Sequence, residues 1–160
     1  MDAEAFDRYV TERYAALVGH VAAMCASRDD AADAVQEALT RAWARRGAFG
    51  RHPNKDAWVR TVARNLLVDG WRRSRRLTNL SIEPLYDDPD VVARVALHRA
   101  LAELPANHRH ALVLHYLVDL PVADIATELG AAPGTVRVWL SRGRQQLGVL
   151  LDDDKEVHHA

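Results

Sequence analysis

Residues 122–147 constrain this chain more than any other stretch. Val122, Ile125, Ala126 and Leu129 recur at i, i+3, i+4 and i+7, the spacing of one helix face. Gly130 follows at the position where a glycine ends a helix in the left-handed conformation. After Ala131 and Ala132, Pro133 suits the first turn of a new helix. On that second helix Val136, Leu140, Gly143 and Leu147 face inward, with Trp139 on the flank of the stripe. Gly134, Arg137, Val138, Ser141 and Gln145 face outward. Two short helices joined by a turn of three or four residues form a helix-turn-helix, whose second helix enters a major groove. Arg137 has the reach for guanine edges, Arg142 and Arg144 for phosphates or bases, and the outward Val138 suits a thymine methyl. A hairpin of helices used only for packing is the plain alternative. The lack of any acidic residue over 131–151 argues against it.

The remainder also reads as helix. No segment alternates apolar and polar residues for long, so no sheet is expected. A first helix is predicted over 3–26. A second follows Ser27-Arg28-Asp29-Asp30, which supplies a cap and acids for its first turn. Ala31, Val35, Ala38, Leu39 and Ala42 share its apolar face, opposite Asp33, Gln36, Glu37 and Thr40. Gly47, Gly50 and Pro53 then break the pattern. A long helix over 56–75 has Val59, Val62, Ala63, Leu66, Leu67 and Gly70 as its buried stripe. Arg60, Thr61, Arg64, Asn65, Val68 and Arg72 lie on its other side, and Trp58 and Trp71 flank the basic face. Arginines beside aromatic rings suit single-stranded nucleic acid, because the cations track phosphates and the rings stack on unpaired bases. Packing of both tryptophans into the core is the alternative, and for Trp71 the two readings stand level. Residues 77–90, LTNLSIEPLYDDPD, read as a flexible linker. Asp90 caps a helix over 91–103, and a further helix over 106–118 stops at Asp119-Leu120-Pro121. The final residues, 152–160, are expected to be a disordered tail.

Charge sharpens this division. The 160 residues carry a net charge of −1, yet residues 51–80 hold eight basic side chains against two acidic ones. Clustered cations in an acidic background are the footprint of phosphate contact, and the near-neutral total argues against strong unaided binding to DNA. Cys25 is the only cysteine, which excludes an internal disulfide and reads as a small core residue. His108 and His110 are expected to be surface histidines, with no metal and no cofactor. No nucleophile elbow, phosphate-binding loop or zinc-protease motif is present, so an enzyme is not expected. No signal peptide and no membrane insertion are expected either, giving a cytoplasmic, nucleoid-associated protein.

Three segments carry a resemblance. DAADAVQEALTRAWARRGAF resembles the core-binding region of bacterial sigma factors. DAWVRTVARNLLVDGWRRSRR resembles their promoter-melting, −10-reading helix. ALAELPANHRHALVLHYLVDLPVADIATELGAAPGTVRVWLSRGRQQL resembles their −35-reading domain. Order and spacing resemble the small extracytoplasmic-function (ECF) type. The resemblance implies an all-α fold of two small helical domains, region 2 over 1–76 and region 4 over 91–151, joined by the linker. It implies promoter DNA and core RNA polymerase, through its β′ clamp helices and β flap, as partners. By position, Asp33, Gln36, Glu37, Thr40, Arg41 and Trp43 would meet the clamp helices. Asn54, Trp58, Arg60, Thr61, Arg64, Asn65, Arg72 and Arg73 would hold the −10 element. Thr135, Arg137, Val138, Ser141, Arg142 and Arg144 would address the −35 element. An anti-sigma factor is common in the family, although no residue here specifies one. The rival is a free-standing helix-turn-helix regulator, which would bind duplex DNA without polymerase.

Overall fold

The computed structural model describes residues 1–25, 27–74 and 89–159, and the side chains of all of these except 69–74 and 157–159. The linker expected at 77–90 therefore falls almost wholly outside the described residues. The described chain is helical with no strand, and it divides into two compact units, Met1–Leu77 and Thr78–Ala160.

The first unit contains α1 (Ala3–Cys25), α2 (Arg28–Ala44), α3 (Arg46–Gly50) and α4 (Lys55–Ser74). Local chemistry sets the helix starts. The Asp2 carboxylate accepts from the Ala5 amide at 2.8 Å, and the Ser27 hydroxyl accepts from the Asp30 amide at 3.3 Å. Each side chain satisfies an amide that has no partner within its own helix. On α2 the residues buried are Ala31, Ala34, Val35, Ala38, Leu39 and Ala42. Four of the six are alanines, so α1 and α4 can approach α2 closely. Leu17 and Val21 of α1 and Val59 and Ala63 of α4 close the core from the other sides. Cys25 is partly buried at the edge of this core, its thiol donating to the Ser27 carbonyl at 3.2 Å.

The segment after α2 departs from expectation. Gly47 and Gly50 do not prevent a helix, and the five residues of α3 carry Phe49 into the core at 2% exposure. Its ring meets Tyr9 at 5.4 Å, Trp58 at 5.3 Å and Phe6 at 6.1 Å, all edge-on. Burial of one phenylalanine among three rings outweighs the modest helix penalty of glycine.

A polar tie joins α1 to the start of α4. The Tyr9 hydroxyl donates to Asp56 Oδ1 at 2.7 Å, Arg13 Nε donates to Asp56 Oδ2 at 2.9 Å, and Arg13 Nη2 makes an ion pair with the same oxygen at 2.8 Å. Burial, and then the carboxylate beside it, push the Tyr9 hydroxyl pKa upward. His20 lies near the same group. Its Nδ1 is buried without a hydrogen-bond partner. Burial, then the Arg60 and Arg13 cations, hold its pKa below the ordinary 6.5, with Asp56 opposing.

The second unit contains α5 (Pro89–Glu103), α6 (Ala106–Tyr116), α7 (Val122–Leu129) and α8 (Pro133–His159). Its core holds Leu101, Leu112, Leu114, Ile125, Val136 and Leu140. Arg109 donates to the Leu101 and Ala102 carbonyls at 3.4 and 3.2 Å, joining the start of α6 to the end of α5. The chain leaves α6 two residues earlier than expected. Asp119 turns it at φ 60°, and the Leu120 amide reaches the Leu114 carbonyl at 3.0 Å. Gly130 ends α7 at φ 64°, and the Ala131 amide bonds the Ala126 carbonyl at 3.0 Å.

Two expectations for this unit fail. Residues 152–159 continue α8 and are not a disordered tail. Beyond Gly148 no glycine or proline interrupts the segment, and Asp152 stands one turn before Lys155, a spacing that supports a helix. His110 is not a surface histidine. It is 9% exposed and begins a run of buried residues from 110 to 114, because α7 and α8 pack against α6.

Two outcomes test this account. A His20 pKa held below its unfolded value means that the unfolded chain takes up the proton first as pH falls. Stability from a neutral His20 is complete above about pH 6.5 and is lost as the pH drops through the folded value. In melting curves from pH 7.5 to 5, the wild type should lose more stability than His20→Gln; parallel losses would contradict the assignment. Gly130→Ala should cost about 1 kcal/mol in urea unfolding, since only the left-handed cap is strained. No change would mean that this turn tolerates a side chain.

Candidate promoter and polymerase interface

Three outward faces collect most of the singled-out residues. The first is on α2. Once its alanine stripe is buried, Asp33, Gln36, Glu37, Thr40 and Arg41 all stand exposed. Arg41 Nε pairs with Glu37 Oε1 at 3.1 Å, and the Thr40 hydroxyl donates to the Gln36 carbonyl at 3.0 Å. Gln36 Nε2 reaches the Tyr14 hydroxyl only at 3.5 Å. The Glu37–Arg41 pair is exposed on both sides, so it adds little to stability and remains available to a partner. Trp43 ends this face at 39% exposure. One side of its ring meets Phe6 at 5.2 Å, and the Arg46 guanidinium lies 4.4 Å from its centre. Sequence reasoning missed Arg46, whose place over the ring depends on the unexpected α3.

The second face is on α4, and here one expectation is corrected. Arg60 is 2% exposed and belongs to the buried side. Successive helix positions differ by about 100°, which puts Arg60 only about 60° from Ala63, the middle of the stripe. Thr61 and Arg64 are half-buried, Asn65 is exposed and Val68 is 47% exposed. Trp58 packs edge-on against Phe49 and is half-buried, so much of its ring serves the core. Asn54 is exposed and caps α4, its Oδ1 accepting from the Ala57 amide at 3.0 Å. The backbone of Trp71, Arg72 and Arg73 continues α4, while their side chains lie outside those described.

The third face is at the start of α8. Thr135, Arg137, Val138, Ser141, Arg142 and Arg144 are all exposed, while Val136 and Leu140 are buried at 0% and 3%. Gly143 sits against α6, where an added Cβ would lie 3.0 Å from Leu112 Cδ1. Trp139 is half-buried on the flank, as its place on the helix implies. Arg144 Nη1 donates to the Tyr116 hydroxyl at 3.2 Å, a contact made across the unit and not visible in local sequence. A helix with one side sealed and arginine, threonine, serine and valine on the other carries the donors and methyl groups that read base edges. Among the described residues, no helix is long and apolar enough to cross a membrane.

A helix-turn-helix in one unit and a basic, half-exposed helix in the other define a two-part promoter reader. Comparison with known proteins agrees. Residues 10–77 match the sigma-70 region 2 family and residues 94–147 match the sigma-70 region 4 family. The ECF RNA polymerase sigma factor SigM of Mycobacterium tuberculosis is 33% identical over 156 residues, covering 94% of this chain and 79% of SigM. SigL of the same species is 38% identical over 135 residues, covering 77% of this chain and 75% of SigL. Among solved structures, the sigma factor RpoE in complex with the anti-sigma factor NepR from Bartonella quintana matches with a TM-score of 0.78 and 28% identity. That match covers 94% of this chain and 98% of RpoE. CnrH, in complex with the cytosolic domain of CnrY, matches at 0.72 and 26%, covering 96% of this chain and 91% of CnrH. The chain belongs to the ECF RNA polymerase sigma factors, which bind core RNA polymerase and direct it to promoters to begin transcription.

The corrected place of Arg60 is testable. Arg60→Ala should lower unfolding free energy by at least about 2 kcal/mol in urea, through lost packing and a buried cavity. Asn65→Ala should stay within about 0.5 kcal/mol of wild type. Equal effects at the two positions would put Arg60 back on the surface.

Proposed function

We propose that this sigma factor divides its work among the three faces. Asp33, Gln36, Glu37, Thr40 and Arg41, with Trp43 beside them, engage the β′ clamp helices of core RNA polymerase. Thr61, Arg64 and Asn65, together with Arg72, Arg73 and the segment at Asn54 and Trp58, hold the −10 element and its unpaired strand. Thr135, Arg137, Val138, Ser141 and Arg142 read the −35 element while the second unit rests near the β flap. Arg144 shares its guanidinium between Tyr116 and the DNA. Arg60 has no part in base contact and supports α4 from within. The observation that carries this reading is the separation, over residues 133–151 of α8, of a sealed Val136–Leu140–Gly143 side from an exposed side with three arginines and no acid.

The reading places the protein in the cytoplasm, at the nucleoid. Its net charge of −1 gives little unaided grip on DNA, so polymerase supplies the missing affinity. The likeness to RpoE in complex with NepR supports an anti-sigma factor as a further partner.

A gel shift separates a sigma factor from a free-standing regulator. A promoter mapped from transcripts induced by overproduction should shift with the protein plus core polymerase and not with the protein alone. A shift without polymerase would contradict the reading. Glu37→Arg should weaken core binding by about tenfold without lowering the melting temperature, because it reverses charge on an exposed interface. Unchanged capture of core enzyme would remove α2 from the interface. Arg137→Ala should cost about 1–3 kcal/mol and relax preference at one −35 position. A uniform loss on every −35 variant would make Arg137 a phosphate contact instead.

A further inference from the structure

The tie between α1 and α4 determines which side of α4 faces outward. Asp56 sits in the first turn of α4, is only partly exposed, accepts one hydrogen bond each from Tyr9 and Arg13, and is ion-paired with Arg13. Position along the helix then fixes everything beyond it. At about 100° per residue, Arg60, Ala63 and Leu67 fall within about 40° of Asp56, on the side turned to the core. Asn65 falls about 180° away, with Thr61 and Val68 about 40–60° to one side of it. Exposure follows this wheel: Arg60 and Ala63 are buried, whereas Asn65 and Val68 are exposed.

The same carboxylate sits beside the segment that leads into α4. Asn54, two residues earlier, caps the helix through the Ala57 amide, its carbonyl accepts from the Trp58 amide at 3.2 Å, and its own amide donates to His52 Nδ1 at 3.1 Å. Apolar packing alone fixes rotation loosely at this end, because Lys55, Asp56, Ala57 and Trp58 are each only partly buried. A guanidinium on one carboxylate oxygen and a phenol on the other fix it in both distance and direction.

We propose that Asp56, held by Tyr9 and Arg13, is a positioning residue for promoter opening: it sets the rotation of α4 and so presents Thr61, Asn65 and the Asn54 segment to the unpaired −10 strand. The inference rests on the reading of α4 as the −10-binding helix. None of the three residues touches DNA in this role, and none lies on the α2 face assigned to polymerase.

The test uses the full-length protein with core RNA polymerase on the mapped promoter, comparing wild type, Asp56→Asn and Tyr9→Phe. Tyr9→Phe keeps the ring that packs against Phe49 and removes only the hydroxyl. All reactions run well below each variant's melting midpoint. Two quantities are read: affinity for core polymerase, and permanganate reactivity of unpaired thymines in the −10 region. Asp56→Asn should reduce opening by about tenfold and Tyr9→Phe by about threefold, the scale of hydrogen bonds to a charged group. Core affinity should stay within about twofold, since the two faces are separate sites. On a template already melted over the −10 region, binding by the variant holoenzymes should fall by similar factors, because the strand-holding face is misaligned. Wild-type opening by both variants, or a fall in core affinity in step with opening, would overturn the proposal and leave the tie a plain stabilising contact. If wild type opens no mapped promoter while still binding core, the reading of α4 itself fails and takes this inference with it.

Discussion

A phenol and a guanidinium from α1 converge on the Asp56 carboxylate, and one turn further Val59, Arg60 and Ala63 of α4 are sealed against the rest of the first unit. A helix buried on one side has its opposite side dictated. That constraint turns Asn65 and Val68 of α4 outward, and the alanine-rich stripe of α2 does the same for Asp33, Gln36 and Glu37. Small residues let α2 sink into the core without widening its footprint, so its polar face stays wholly available. Both outward surfaces of the unit are therefore consequences of how its helices are clasped.

The second unit uses the same logic with a shorter lever. Val136, Leu140 and Gly143 fasten α8 to its neighbours, and Gly143 allows α6 close enough that Leu112 would crowd any larger residue. The left-handed Gly130 and the helix-starting Pro133 set the turn between α7 and α8. What remains outside is the set of side chains that can meet a major groove. Each unit is small, and a chain of this size buries only about 60% of its surface on folding. Modest stability of each unit suits a protein that spreads its two readers over a large enzyme.

Much of this was legible in the residues, and the reasons are local. Ser27, Gly130 and Pro133 carry their own conformational instructions, and the i, i+3, i+4 pattern of α2 and α7 is strong enough to orient each helix without tertiary knowledge. What escaped was tertiary. The charge of Arg60 suggests an outside place although its helix position borders the buried stripe; the helices packed around α4 enclose it, and its long side chain is accommodated there. The tie from Tyr9 and Arg13 spans 47 and 43 residues, so no local signal announces it. His110 was read as surface for the same reason as Arg60. The helix α3 formed despite two glycines because Phe49 found three rings, and residues 152–159 stayed helical because nothing in them stops a helix.

The most direct measurement is reconstituted run-off transcription. Core RNA polymerase, a template with the mapped promoter and the purified full-length protein are combined, with each omitted in turn. Transcripts of one defined length should arise only when all three are present, and should vanish when the −10 or the −35 sequence is scrambled. Transcription that ignores the added protein, or a protein that binds polymerase firmly yet starts no transcript at any mapped promoter, would contradict the account.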